Sequence, residues 1–515
     1  MLSSAGPMKA SASAVVLSMT ILHGPLLARA EAEDPAVGEL RARLHAILDT
    51  PELEGAHVGV HIRSVSDGRV LFEHMGGELF NPASNMKLLT TAAALHYLGP
   101  NYVFRTEVRR DPVMSEGVVR GNLYVKAYGD PTLTTETMFG LVNEVALAGV
   151  RRIEADLVVD HTFFDAVTEG PGWEEETGDP AYAAPIGAFS VNFNTFVVRV
   201  LPGDRPGEPA VARVWPDIDM FDVRVEARTR GPRTRTRLWA GTSAPRPDRI
   251  EMVVRGAIAS DAVRGRLVRR RVHDPSRFAG AMLKRMLELR GIEVRGRLRI
   301  AALPDRPTVA VATHYSRHLS DIISLLNKYS NNFIAEQILK TLGAERFEAP
   351  GTWNKGTRAV SDFLAALGLP KGAYRLGNGS GLNDVNRVTP ALITQVLHRM
   401  YERFDVRPEF VSSLAVAGLS GTIGRRFSDT PAVSRLRAKT GSLTGVSTLS
   451  GYVTTRDDRI LAFSVMMNGY EGSARRMWDL QDRIGVALAR FSGDPSRSTA
   501  ALGAPVDRDR APPAP

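Results

Sequence analysis

Apolar residues along this chain follow two periods, and the changeover between them outlines the fold. Val58-Gly59-Val60-His61-Ile62 and Val70-Leu71-Phe72 read as two strands, with Asp67-Gly68 as the hairpin turn between them. The run 86–95 is apolar on every side and reads as a buried helix that stops at Gly99-Pro100. From about residue 105 to about 305 short strand-like runs dominate, among them 122–125, 196–200 and 250–254, with Gly and Pro between them. One amphipathic helix, 277–290, interrupts them. Helical spacing returns over 318–327 and 333–339, broken at Ser330-Asn331-Asn332. Then period two runs through 433–438, strands follow at 446–453 and 460–467 around an Arg456-Asp457-Asp458 turn, and a helix closes the pattern over about 474–491. Strands and helices in separate runs predict an α+β fold.

The two ends of the chain differ from this pattern. Residues 14–22 are apolar but too few to span a bilayer. Lys9 precedes them, and Ala28-Arg29-Ala30 places small residues at cleavage spacing, so residues 1–30 read as a secretory signal peptide cut after Ala30. The chain is then expected to be periplasmic or otherwise exported, with no membrane span in its mature form. The segment 494–515 ends Ala511-Pro512-Pro513-Ala514-Pro515, has no apolar period, and is expected to be a disordered tail.

Composition changes the picture in two ways. The chain of 515 residues has no Cys, which excludes disulfides, thiolate metal sites and a Cys nucleophile. No H-E-x-x-H occurs and the 11 His are scattered, so neither a metal nor a cofactor is expected. The net charge of +9 falls to +7 once Lys9 and Arg29 leave with the signal. Arg228, Arg230, Arg233, Arg235 and Arg237 form one basic cluster; Arg264, Arg266, Arg269, Arg270 and Arg271 form another. An exported protein seldom meets nucleic acid, so these read as a solvated strand face, with attraction to an anionic cell wall as the functional remainder.

Three short strings carry the candidate chemistry: Ser84-Asn85-Met86-Lys87, Ser330-Asn331-Asn332 and Lys439-Thr440-Gly441-Ser442. Each alone is common, as an N-cap, a turn or a strand end; their order and setting distinguish them. Ser84 opens the buried helix, where free N–H groups favour an anion. Lys87 follows one turn later on the same face. Burial and a nearby cation, with Lys439 as that cation, would lower its pKa until the neutral amine accepts the Ser84 proton. Ser330 and Asn332 sit at a helix break, and Lys439 to Ser442 lie on a strand whose Gly441 permits close backbone approach. A compact catalytic domain does not need about 250 residues between Ser84 and Ser330, so an insertion is expected.

In this order the strings are similar to the three elements of the penicillin-interacting serine acyl transferases. Further segments narrow the resemblance: Gly129-Asp130-Pro131-Thr132-Leu133, Asp156 to Asp160, Ala184 to Asn192, Gly379-Ser380-Gly381-Leu382 with Asn386 to Pro390, and Ser420-Gly421-Thr422-Ile423. From about residue 40 to about 492 the chain resembles the D-Ala-D-Ala carboxypeptidase/endopeptidase family of the DacB type. Relatives commonly read Asp-Gly-Ser-Gly-Leu where this chain has Asn378, which keeps the shape and loses the charge.

The resemblance implies a β-lactamase/transpeptidase-like catalytic domain, an antiparallel sheet with helices, in two parts, 31–104 and 306–493, around inserted β-rich accessory domains at 105–305. It also implies an exported serine DD-peptidase cleaving D-Ala-D-Ala or D-Ala-linked cross-bridges of peptidoglycan stem peptides through an acyl-enzyme, and acylated by β-lactams. Its roles are Ser84 as nucleophile, Lys87 as base, and Ser330 passing a proton to the leaving amine. Asn332 would bond the substrate backbone. Thr440 and Ser442, helped by Lys439, would hold the substrate carboxylate, and the N–H groups of Ser84 and Ser442 would form the oxyanion hole. A non-catalytic wall-peptide or penicillin-binding protein, and a β-lactamase or esterase on the same fold, are the competing readings.

Overall fold

The computed structural model describes residues 34–493. The expected signal peptide at 1–30 and tail at 494–515 lie outside the described residues. A six-stranded antiparallel sheet organises the two ends of the described chain. The hairpin of His57–Ser64 and Val70–His74 joins the C-terminal strands through pairing of His57–Ser64 with Ile460–Asn468. Val446–Thr454, Leu436–Leu443 and the short Ala415–Val416 complete the order. The strand expected from 433 begins only at Leu436, because Ala432 to Arg435 turn, with Ser434 at φ 63°.

One face of this sheet is closed by the helices Pro35–Leu48 and Ala474–Arg490. The second carries Met477, Leu480, Ile484 and Leu488 at helical spacing on its buried stripe, each such side chain contributing about 1.5–3 kcal/mol by burial. The other face holds the helix Met86–Tyr97, buried from Met86 to Leu95 among the helices Leu319–Tyr329, Asn332–Phe347, Trp353–Ala366 and Pro390–Glu402. Val446–Thr454 is covered on both faces, which explains its small polar residues: Ser447, Thr448 and Ser450 each find a hydrogen-bond partner inside.

The strands between Arg105 and Tyr315 pair among themselves and not with the six-stranded sheet. Five of them form one sheet, in the order Leu298–Ile300, Leu157–Asp160, Leu123–Ala127, Arg105–Arg110, Val309–Tyr315. The last strand lies beyond the expected boundary near 305, since it pairs antiparallel with the first strand of the segment. Three smaller sheets centre on Thr195–Leu201, Arg249–Ala259 and the short Arg152–Ile153. These elements share a separate apolar core with the helix Pro275–Leu289. Arg228, Arg230, Arg233, Arg235, Arg237, Arg264, Arg266 and Arg269 are exposed on these sheets and their loops. Residues 163–188, although within this stretch of sequence, pack Phe163, Phe164, Trp173 and Ile186 into the same core as the Met86–Tyr97 helix. Among the described residues no helix is long and apolar enough to cross a membrane.

Candidate active site

Ser84 stands in a short turn, Ala83–Asn85, that leads directly into the helix Met86–Tyr97. The turn is tightly held. Thr448 Oγ1 donates to the Pro82 carbonyl (3.0 Å), Asn85 Nδ2 to Ser450 Oγ (2.6 Å), and Ala83 N–H to Asn81 Oδ1 (2.8 Å). Ala83 has φ 43°, a left-handed value that costs a non-glycine residue energy and persists only where neighbours impose it. Gly381 is one such neighbour, since a Cβ there would run into the Ala83 carbonyl.

Lys87 lies one turn on from Ser84, and its Nζ donates to Ser84 Oγ at 2.8 Å. The same ammonium donates to Asn332 Oδ1 (2.7 Å) and to the Ser380 carbonyl (2.6 Å). The side chain is fully buried, and burial pulls its pKa down from 10.5 to about 7, with Glu336 opposing the fall. Glu336 itself is buried. Its carboxylate accepts the N–H groups of Gly379 and Ser380 (2.7 Å to the latter) and the Trp353 indole N–H (2.8 Å). It thus fixes the loop whose Ser380 carbonyl receives Lys87.

Ser330 ends the helix Leu319–Tyr329 at φ 57°, and Asn331 caps the next helix by accepting the Ile334 N–H. The break turns Ser330 Oγ toward Lys439, whose Nζ donates to it at 2.7 Å and to the Thr440 carbonyl at 2.7 Å. Lys439 is also fully buried; burial, and then the charge of Lys87, hold it well below the ordinary lysine range. Burial is the leading cause for both lysines, and the two ammonium groups disfavour each other's charge.

Strand alternation puts Lys439 and Gly441 on one face and Thr440 and Ser442 on the other. A Cβ on Gly441 would stand 2.9 Å from the Ser84 nitrogen and 2.9 Å from the Pro82 carbonyl, so only glycine leaves this approach open. Thr440 Oγ1 donates to Thr422 Oγ1 (2.9 Å), and Ser442 is exposed.

Asn378, the residue that departs from the relatives, is buried and saturated. Its Nδ2 donates to the Pro171 and Leu382 carbonyls, and its Oδ1 accepts from Gly381 N–H and Asn386 Nδ2. An ionised Asp would face those two carbonyls with no proton to give them, so Asn suits this loop.

The strings thus form two hydrogen-bonded groups, Ser84–Lys87–Asn332 and Ser330–Lys439, with Gly441 against the Ser84 nitrogen. Glu336, the Ser380 carbonyl and Thr422 join them without having been expected. Ser380 and Thr422 lie in segments that carry the resemblance; Glu336 has its own signal, as a lone acid in an apolar run, four residues after Asn332 and so on its helix face.

The profile of the D-Ala-D-Ala carboxypeptidase 3 (S13) family matches residues 40–490. A D-alanyl-D-alanine carboxypeptidase of Actinomadura sp. strain R39 is 35% identical over 93% of this chain and 89% of that protein. The D-alanyl-D-alanine carboxypeptidase DacB of Haemophilus influenzae is 27% identical over 81% of this chain and 86% of its own length. The crystal structure of penicillin binding protein 4 (DacB) from Haemophilus influenzae superposes with a TM-score of 0.75 at 25% identity, over 86% of this chain and 97% of that one. It has also been solved complexed with a β-lactam. With a matched region that reaches from the hairpin sheet through all three strings, the chain belongs to the D-Ala-D-Ala carboxypeptidase 3 (S13) family.

Proposed function

We propose that Ser84 is the nucleophile with which this serine D-Ala-D-Ala carboxypeptidase opens the peptide bond between two D-alanines of a peptidoglycan stem. The observation that carries this reading is the buried Lys87 amine 2.8 Å from Ser84 Oγ. With its pKa near 7, an appreciable fraction is neutral at physiological pH and accepts the serine proton as Oγ bonds the carbonyl carbon. The N–H groups of Ser84 and Ser442, on either side of the close approach at Gly441, receive the oxyanion. Ser330 passes a proton to the departing amine nitrogen, and Lys439 holds that hydroxyl in line. Asn332 supports Lys87 through Oδ1, and its Nδ2, now on the Tyr182 carbonyl at 3.1 Å, can turn to a substrate carbonyl. Thr440 and Ser442 hold the terminal carboxylate. Water then cleaves the ester and regenerates Ser84. A β-lactam enters by the same acylation. Peptidoglycan as substrate places the enzyme outside the cytoplasm, in keeping with the expected signal peptide.

The testing experiment is the pH dependence of acylation by a β-lactam, with D-Ala release from a D-Ala-D-Ala peptide measured in parallel. Lys87 accepts a proton only when neutral, so both rates are expected to rise with pH through about 7 and level off above it. A rising limb near the ordinary lysine value would reject the neutral amine as base.

Glu336 offers a finer check. Its charge favours the ammonium form of Lys87, so Glu336→Gln is expected to move the rising limb to lower pH. The amide also presents its NH₂ to backbone donors, at a stability cost of about 1–3 kcal/mol in thermal or denaturant unfolding. An unmoved limb would mean that Lys87 does not feel Glu336.

A further inference from the structure

Beyond Thr440 and Ser442 the surface does not close. A cavity of about 560 Å³ opens between the lysine strand Leu436–Leu443, the Gly421–Ile423 turn and the start of the helix Ala474–Arg490. Its charges are unevenly satisfied. Arg426 is tied to Asp482 (2.6 Å), to Gln481 Oε1 (3.1 Å) and to the Trp478 carbonyl (3.2 Å). Arg425 and Arg475 line the same cavity, are exposed, and form no ion pair or side-chain hydrogen bond among the described residues. One carboxylate on the wall, Asp479, is likewise unpaired, which leaves two open guanidinium groups against one acid. Trp478, 39% exposed, adds an aromatic surface.

The reaction leaves this space unused when the leaving group is a single D-alanine. Such a leaving group has one methyl and one carboxylate, and the carboxylate is already met at Thr440 and Ser442. The cavity has the volume of a site for a much larger ligand. Open guanidinium groups select carboxylates, which they bind in paired hydrogen bonds.

From this we propose that the cavity is a subsite for the leaving strand of a cross-linked peptidoglycan dimer, with Arg425 and Arg475 binding carboxylates of the amine-donating stem peptide. The proposal rests on the reading of Ser84 as nucleophile and extends it to the far side of the scissile bond. The chemistry is unchanged: the Ser84 Oγ–carbon bond forms, the carbon–nitrogen bond breaks, Lys87 takes the serine proton, and the departing amine receives one through Ser330. Only the amine is longer. Cross-bridge opening is already implied by the resemblance to carboxypeptidase/endopeptidases; what the cavity adds is that Arg425 and Arg475 set its balance against stem trimming.

The test compares kcat/KM on a monomeric stem ending in D-Ala-D-Ala and on a purified cross-linked dimer, for the wild type and the double variant Arg425→Ala/Arg475→Ala. The arginines are exposed and unpaired, so the variant keeps its fold. Cross-bridge cleavage is expected to fall about tenfold or more while D-Ala release from the monomer stays within about twofold. A dimer whose leaving-strand carboxylates are amidated is expected to show no such difference between the two proteins. Equal falls on monomer and dimer, an unaffected dimer, or a wild type that cleaves only the monomer would each overturn the subsite while leaving the Ser84 reading in place. A wild type that turns over neither substrate would overturn both.

Discussion

Ser84→Ala is expected to abolish both covalent labelling by a fluorescent penicillin and D-Ala release, with a fall in turnover on the order of 10⁶-fold, as for loss of other serine nucleophiles. The fold should survive. Ser84 is only half-buried, and its hydroxyl bonds Lys87 alone among the side-chain contacts of the turn. The turn is held by Thr448, Asn85 and Asn81, none of which bonds the hydroxyl. Lys87 keeps two acceptors in the variant, Asn332 Oδ1 and the Ser380 carbonyl, so no buried ammonium is orphaned. The stability change should therefore be about 1 kcal/mol, roughly a degree or two in melting temperature. Labelling that persists in a folded Ser84→Ala protein would put the nucleophile elsewhere.

Much of this arrangement was legible because the chemistry is written in side chains at fixed local spacing. Lys87 must follow Ser84 by one helical turn, Ser330 must sit where two helical runs break, and Lys439 must lie on a strand. Each of these is a local pattern, and the elements around them fall where the periods predict: Met86–Tyr97, Leu319–Tyr329, Asn332–Phe347 and Ile460–Asn468. What stayed hidden is what the backbone supplies. Lys87 ends on the carbonyl of Ser380, Asn332 on that of Tyr182, Asn378 on those of Pro171 and Leu382, and Gln337 on that of Gly187. Any residue type carries a carbonyl, so no composition marks these positions. Residues 163–188 have no apolar period, so neither their scattered core residues, such as Phe164 and Trp173, nor the carbonyls they offer to the catalytic helices stood out. The strength and sign of electrostatic coupling were also hidden. Two lysines in one site read as mutual neighbours, but that both are fully buried, and that Glu336 opposes the fall at Lys87, only the fold decides.

Lys439→Ala tests the second of these lysines. Lys439 holds Ser330 Oγ at 2.7 Å, so its loss frees the group proposed to protonate the leaving amine. Its Nζ also donates to the Thr440 carbonyl at 2.7 Å, on the strand where the substrate carboxylate is proposed to sit. Burial and Lys87 keep its pKa well below the ordinary lysine range in the free enzyme. A carboxylate arriving beside it favours the ammonium form, so a substrate with a free carboxylate restores to Lys439 the charge that burial disfavours. Two contributions are then lost in the variant with such a substrate, and one with an amidated substrate. Losing a transition-state charge contact costs about 3 kcal/mol, so kcat/KM on the free-carboxylate peptide should fall by about a hundredfold or more. The fall on the amidated peptide should be clearly smaller. Thermal unfolding has to accompany the kinetics, because the Ala leaves a cavity beside Ser330, and Lys439→Met, which fills the space without a charge, separates packing from chemistry. If both substrates lose equally in Lys439→Met, the residue does not read the carboxylate, and its role reduces to holding Ser330 for proton transfer.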